Sequence, residues 1–180
     1  MRIARHESVG LIIDIQERLF PHIHQHDLLE KNVRILIRGL NLLQVPILVT
    51  QQYTRGLGQT ISSVAELFNG DHVIEKNTFS CCDESNFLSE LNRYNKKYVI
   101  IGGIETHVCV LQTVPDLLDN GFVPVVVEDC VSSRKENDKR VAIERIRQEG
   151  GIVTTYESIL LELCRVAGNE TFKAISGLIK

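Results

Sequence analysis

The sequence predicts a single α/β domain built around a mostly parallel sheet. Short apolar runs alternate six times with segments of helical periodicity along the 180 residues. This alternation is typical of parallel strands joined by right-handed helical crossovers. The length suits one domain with a sizeable core, and no linker, repeat or low-complexity segment divides residues 1–180. We therefore predict one domain that spans the whole sequence.

Composition narrows the class of protein. Hydrophobic residues make up 43% and charged residues 24%, and the net charge is -3 with both signs interspersed. The absence of a basic stripe disfavours a nucleic-acid partner. No apolar run approaches the length of a membrane span, and the charged start leads directly into a strand, so we expect neither membrane association nor a signal peptide. Five cysteines without framework spacing suit a reducing compartment, and we predict a cytoplasmic protein.

The first half of the chain contributes three predicted strands, at residues 9–14, 47–50 and 73–76. Apolar residues at helical spacing predict an amphipathic helix over 28–43, which Pro46 terminates. The polar segment 51–58 is predicted to be a mobile pocket wall. A second helix is predicted between residues 78 and 94.

The second half contributes three more predicted strands, at residues 99–101, 122–127 and 152–154. A helix is expected to begin just before Cys109 and to end at Asn120-Gly121. Residues 128–133 are predicted to form a loop. The remaining predicted helices cover residues 138–148, 158–166 and 170–179.

Cys109 occupies the position with the strongest chemical signal. It follows a buried strand, two glycines and a turn in which Thr106 is a candidate N-cap. Helix N–H groups and the helix dipole favour negative charge there, which predicts a lowered thiol pKa and a nucleophilic thiolate. The alternative is a small apolar residue that packs the helix on its sheet. The context of strand, Gly-Gly and helix favours catalysis.

Two charged residues also end predicted strands. Asp14 follows the first strand and Lys76 ends the third, at the edge where open α/β sheets bind ligands. Alone, each has an ordinary explanation, such as a solvated surface charge. If the first and fourth strands are neighbours, Asp14 faces Cys109 and can take the thiol proton while Lys76 holds the ion pair. Backbone N–H groups of the turn 104–109 would then bind the oxyanion.

Metal-binding patterns are weak in this sequence. His22, His24 and His26 alternate in a loop, but no carboxylate at matching spacing accompanies them. Cys81 and Cys82 are adjacent and spell no redox pair or zinc site, so we interpret them as packing residues. We predict no metal site and no cofactor.

Three motifs resemble one family. Residues 13–16 (Ile-Asp-Ile-Gln), 75–80 (containing Glu-Lys and Phe-Ser) and 103–110 (Gly-Ile-Glu-Thr-His-Val-Cys-Val) are similar to those of the isochorismatase-like hydrolases, the superfamily of nicotinamidase and N-carbamoylsarcosine amidase. The resemblance extends from Val9 to about Glu157. Residues 52–58 and 128–134 also look like the isochorismatase domain-containing subgroup.

The resemblance implies a three-layer α/β/α fold with a six-stranded, mostly parallel sheet of order 3-2-1-4-5-6. It implies a catalytic triad of Asp14, Lys76 and Cys109. It also implies a non-proline cis peptide between Ile104 and Glu105, with the N–H groups of Glu105 and Cys109 as the oxyanion hole. Members of the family usually form dimers or larger homo-oligomers, which we therefore expect here.

Two departures from relatives refine the predicted chemistry. Nicotinamidases carry a metal cluster just after the second strand, where this chain has Gln51 and Gln52. Isochorismatase proper has a residue that cannot attack in place of Cys109. We therefore predict a metal-independent cysteine hydrolase that acts on a small amide or a related acyl or carbamoyl compound through a thioester-type intermediate.

The sequence leaves two alternative functions open and also suggests which residues line the substrate pocket. One alternative is hydrolysis without a covalent intermediate, as for isochorismate, and another is an oligomeric binding or redox-sensing protein with a reactive cysteine. Glu105 is expected to point either into the pocket or to a subunit contact, and His107 to face away from Cys109. The substrate pocket is predicted to involve six residues: Gln16, Phe20, Tyr53, Phe79, Ile104 and Val131.

Overall fold

A computed structural model describes residues 2–68 and 73–180. Six strands form one sheet: β1 (Ser8–Ile13), β2 (Ile47–Gln52), β3 (Val73–Lys76), β4 (Tyr98–Ile104), β5 (Val123–Ser132) and β6 (Ile152–Thr154). Neighbouring strands are all parallel, in the order β3-β2-β1-β4-β5-β6. The predicted fold class and strand order are confirmed.

Helices cover both faces of the sheet. They are α1 (His26–Leu42), α2 (Thr54–Leu57), α3 (Ser62–Ala65), α4 (Phe87–Arg93), α5 (Leu111–Asp119), α6 (Glu136–Gln148), α7 (Tyr156–Cys164) and α8 (Glu170–Ile179). One core packs α1, α3, α7 and α8 against the sheet, and the other packs α4, α5 and α6 against the opposite face. Along β1 this division alternates, because Leu11 and Ile13 belong to one core and Ile12 to the other.

Two predicted elements were wrong in extent. The predicted loop 128–133 is largely strand, because Val131 and Ser132 at the end of β5 pair with Gly103 and Ile104 of β4. The helix predicted over 78–94 is reduced to α4. Its first part is held out of helical geometry by a distant partner, since the Cys81 N–H donates to the Thr113 hydroxyl of α5 at 3.0 Å, and by Lys76, whose Nζ donates to the carbonyls of Thr78 and Phe79.

The segment before α5 also differs from its prediction. Thr106–Val110 form a π-helical turn whose N-cap is Glu105, so Thr106 is not the cap, and the buried Thr106 hydroxyl has no hydrogen-bond partner among residues 2–68 and 73–180. The Val108 and Val110 N–H groups both donate to the Glu105 carbonyl. This wide turn sets the position of Cys109 relative to the ends of β1 and β4.

Gly103 allows β4 to approach β1 closely at this point. Its φ is +128°, and a Cβ atom there would lie 2.2 Å from the carbonyl oxygen of Ile13. A side chain at position 103 would therefore separate the two strand ends that carry the candidate site.

Candidate active site

Asp14 and Lys76 form a fully buried ion pair at the carboxyl edge of the sheet. Asp14 directly follows β1, and Lys76 is the last residue of β3, two strands away. The Lys76 side chain spans that distance, and its Nζ lies 2.7 Å from Asp14 Oδ2. Neither side chain has exposed surface. The sequence placed both residues at one edge, and the structure brings their charges into contact.

Further hydrogen bonds hold this pair in place. The Thr50 hydroxyl donates to Asp14 Oδ1 at 2.7 Å, and Lys76 Nζ also donates to the carbonyls of Thr78 and Phe79 at 3.0 and 3.1 Å. Burial is the largest single influence and lowers the pKa of Lys76, but the Asp14 carboxylate together with the nearby Cys81 and Cys109 sulfurs raises it by more, and the net shift is upward. The lysine is therefore a fixed cation and is poorly suited to act as a base.

Cys109 adjoins this pair from the π-helical turn that follows the neighbouring strand β4. Because β1 and β4 are adjacent, the turn that carries Cys109 begins beside the end of β1. The cysteine is only 4% exposed, and its thiol donates to Gln52 Oε1 at 3.4 Å. Burial raises the pKa of the Cys109 thiol, the Asp14 carboxylate raises it further, and Lys76 opposes both. The predicted lowering of this pKa is wrong, because burial and the Asp14 carboxylate together outweigh Lys76, and the resting group is a neutral thiol.

The predicted cis peptide is present between Ile104 and Glu105. Glu105 itself is buried and pairs within the chain: its carboxylate accepts from the Arg134 backbone N–H at 2.9 Å and from Arg134 Nε at 3.2 Å. His107 faces the same network, with Nδ1 2.9 Å from Ser133 Oγ and Nε2 3.9 Å from Asp138 Oδ2. These contacts fix the turn before Cys109 to the end of β5 and to α6.

The six predicted pocket residues fall into two groups. Tyr53 and Phe79 are 54% and 53% exposed, and both adjoin Lys76: the Tyr53 N–H donates to the Lys76 carbonyl, and the Phe79 carbonyl accepts from Nζ. The remaining residues are buried in the chain. Those are Gln16, Phe20, Ile104 and Val131. Tyr53 and Phe79 are thus the pair with surface available to a ligand.

Two polar residues at the site were not singled out from the sequence. Thr50 orients Asp14, and Gln52 contacts the Cys109 sulfur. Both lie on β2, and the sequence predicted only a mobile pocket wall over 51–58 and the absence of metal ligands at Gln51 and Gln52. The sequence did contain a signal for both residues, because the last residues of a central parallel strand lie at the edge of the sheet where ligands bind.

Within residues 2–68 and 73–180, no group of three or more His, Cys, Asp or Glu side chains is arranged to hold a metal ion. Nor does this part of the chain contain a helix long and apolar enough to cross a membrane. The predicted loop histidines have local neighbours instead, since His26 Nδ1 lies 3.1 Å from Asp27 Oδ1 and His24 Nε2 lies 3.9 Å from Glu136 Oε2.

The fold is that of a three-layer α/β/α protein with a parallel six-stranded sheet, and sequence comparison identifies the family. Residues 8–158 match the isochorismatase domain, and the chain belongs to the isochorismatase family. Curated proteins named isochorismatase domain-containing proteins match along nearly its whole length, which confirms the predicted subgroup.

Individual relatives cover the chain almost completely. A secreted isochorismatase effector of Phytophthora sojae is 38% identical over 185 aligned positions, covering 99% of this chain and 87% of that protein. The MAR1 ribonuclease of Caenorhabditis elegans superposes with a TM-score of 0.92 and 34% identity, covering 99% and 92% of the two chains. The YcaC gene product of Escherichia coli, described as an octameric hydrolase of unknown specificity, shares the fold with a TM-score of 0.94, 23% identity and coverage of 99% and 89%.

Proposed function

We propose that this isochorismatase-family hydrolase is a cysteine hydrolase of small amides, or of related acyl or carbamoyl compounds. The observation that carries the proposal is the buried Asp14–Lys76 pair, 2.7 Å apart, beside the poorly exposed thiol of Cys109. A buried carboxylate that is paired with a fixed cation is suited to accept a proton from a neighbouring thiol.

The proposed reaction has two stages, the acylation of Cys109 and the hydrolysis of the resulting thioester. Cys109 Sγ attacks the amide carbonyl carbon while its proton passes to Asp14, and the C–N bond then breaks as Asp14 gives that proton to the leaving nitrogen. Water attacks the resulting thioester while Asp14 takes one water proton, and the C–S bond then breaks as Asp14 returns that proton to Cys109 Sγ, which gives the carboxylic acid and the restored thiol. Because the resting thiol is neutral, proton transfer accompanies the attack rather than preceding it.

Charge that develops on the carbonyl oxygen needs hydrogen-bond donors. The Val108 and Val110 N–H groups already donate to the Glu105 carbonyl, and the His107 N–H donates to Ser133 Oγ at 3.4 Å. The N–H groups of Glu105 and Cys109 are the proposed oxyanion donors. The positive charge of Lys76 acts on the Cys109 sulfur, where it favours the thiolate.

The test is an ammonia-release screen over small primary amides and carbamoyl compounds, with acid quench and mass spectrometry of the protein. Cys109→Ala is expected to lose at least about a thousandfold in turnover and to form no acyl adduct. Cys164→Ala, which alters a partly exposed thiol of α7, serves as the matched control and should turn over normally. Normal turnover in Cys109→Ala would refute the proposal, and turnover without an adduct would favour the non-covalent alternative.

Ribonuclease activity is a second candidate, favoured by the description of the worm relative. The net charge of -3 provides little attraction for a polyanion. Incubation of labelled RNA with the wild type and with Cys109→Ala separates the two: Cys109-dependent cleavage would establish this candidate, and intact RNA would remove it.

We also propose that the chain forms a homo-oligomer, for which the octameric description of the YcaC product is the support. Sedimentation velocity would measure this directly, and a monomer at micromolar concentration would contradict it. A cytoplasmic location remains a prediction, since the Phytophthora relative is described as secreted.

A further inference from the structure

Gln52 places a side-chain amide directly beside the candidate nucleophile. It is the last residue of β2 and pairs in register with Lys76 on β3, so both side chains leave the sheet on the same face. Its Oε1 accepts a hydrogen bond from the Cys109 thiol at 3.4 Å. The Gln52 amide is therefore among the groups that a substrate would meet at the sulfur.

The backbone of Gln52 is clamped by a second, fully buried glutamine. Gln16 Oε1 accepts from the Gln52 N–H at 2.7 Å, while Gln16 Nε2 donates to the Gln52 carbonyl at 3.0 Å and to the Gly58 carbonyl at 2.7 Å. These three bonds use both N–H hydrogens and the carbonyl oxygen of the Gln16 side chain, and they fix both polar groups of the Gln52 backbone. The side chain of Gln52 thus projects from an immobile point, as a preorganised recognition group requires.

Only half of the Gln52 side-chain amide is used. Its oxygen holds the thiol, whereas its Nε2 donates to no other group in the two described segments, and the residue is partly exposed. When the thiol proton moves to Asp14, Oε1 also loses its donor. The amide then offers one acceptor and two donor hydrogens to whatever occupies the site.

The charges around this amide add up to no net attraction for an anion. Asp14 and Lys76 neutralise each other at 2.7 Å, and Lys76 is further saturated by two carbonyls. A carboxylate substrate would place an oxygen against Gln52 Oε1, acceptor against acceptor, without a free cation to compensate. A carboxamide matches both edges of the glutamine, because its NH2 donates to Oε1 and its carbonyl side accepts.

We propose that Gln52 is a specificity-determining residue, whose side-chain amide binds the neutral carboxamide of the substrate beside Cys109 and discriminates against a carboxylate. This inference rests on the function proposed above and names its substrate class more narrowly. Gln16 is the positioning residue that holds Gln52 in place.

Two alkylating agents of nearly equal shape test this selectivity. Iodoacetamide and iodoacetate each transfer a two-carbon group to Cys109 Sγ with loss of iodide, and differ in carrying an amide or a carboxylate. The rate constant of each at Cys109 is measured by peptide mass spectrometry at fixed pH for the wild type, Gln52→Met and Gln52→Glu. Gln59→Met, an exposed glutamine in the same loop, is the matched control. Cys81 and Cys130 are fully buried and should stay unmodified in every folded variant.

The readout is the ratio of the iodoacetamide rate to the iodoacetate rate. Gln52→Met should lower it about tenfold, the effect of one neutral hydrogen bond, while Gln59→Met leaves it unchanged. Gln52→Glu should raise it above the wild-type value, because a carboxylate at that position repels iodoacetate. Opposite changes in two variants of similar shape distinguish recognition from a merely structural effect.

Two results would overturn the inference: ratios within a factor of two in all four proteins, or shifts in the same direction for Gln52→Met and Gln52→Glu. The Asp14→Asn variant separates this failure from failure of the proposed function. If Asp14→Asn changes the rate of Cys109 alkylation but the Gln52 variants leave the ratio of the two rates unchanged, the proposed function stands and only the inference fails. If Cys109 is indifferent to Asp14 as well, both fail.

Discussion

Removal of the Lys76 ammonium by Lys76→Met should be among the most damaging single substitutions in this protein. The Asp14–Lys76 pair is 2.7 Å apart, both side chains lack exposed surface, and the methionine side chain fills similar volume without charge. The remaining Asp14 carboxylate would stay buried with one neutral donor, the Thr50 hydroxyl. Breaking a buried pair in this way costs about 3–5 kcal/mol, a large fraction of the about 5–15 kcal/mol that stabilises a typical domain.

The free energy of unfolding would be measured by urea titration at neutral pH. Far-UV circular dichroism is the suitable signal, because the sequence contains no tryptophan. Lys31→Met, at an exposed lysine of α1, is the matched control and should change stability by no more than about 0.5 kcal/mol.

A double-mutant cycle identifies the source of the loss. Asp14→Asn alone should also destabilise, since it leaves a buried ammonium, but the double variant carries no uncompensated charge. Its cost should therefore be smaller than the sum of the single costs by about 2 kcal/mol or more. Additive costs, or a loss below about 1 kcal/mol for Lys76→Met, would refute the assignment of a buried and charged pair.

Two further predictions concern the turn and the thiol. Gly103→Ala should lower the free energy of unfolding by about 3 kcal/mol or more in the same urea assay, because its Cβ would lie 2.2 Å from the Ile13 carbonyl oxygen at a φ of +128°. Gly177→Ala is the control, since its Cβ would meet no atom within 4 Å, and it should be neutral or slightly stabilising. Burial and then the Asp14 carboxylate raise the pKa of the Cys109 thiol above the ordinary thiol value of about 8.5. The alkylation rate of Cys109 should therefore still be rising above that pH. Asp14→Asn should move that profile to lower pH, and a wild-type plateau below pH 8 would contradict the structure.

Much of the site could be predicted from local sequence. The apolar runs ending at Asp14, at Lys76 and before Cys109 identify strand termini, and parallel strands present their carboxyl ends at one edge. The cis peptide between Ile104 and Glu105 was also expected, but only through resemblance to a known family. Periodicity gives no information about a peptide bond isomer.

The less predictable features depend on contacts between distant segments. The end of β5 was predicted to be a loop because its own composition suits one, yet pairing with β4 makes it strand. The helix predicted after β3 shortens because the Cys81 N–H donates to the hydroxyl of Thr113 on α5. Local propensity is a weak preference, and tertiary hydrogen bonds of this kind override it.

The sequence by itself determined the α/β class and the strand ends that carry Asp14, Lys76 and Cys109. Those features follow from hydrophobic periodicity, which is encoded locally, whereas the need for glycine at position 103 comes from the approach of Ile13 on another strand. Only the tertiary structure decided that Gln16 clamps Gln52 beside the thiol, and that Cys109 rests as a neutral group. Both depend on burial and on partners far away in the chain, and the pKa of a buried group is set by that environment.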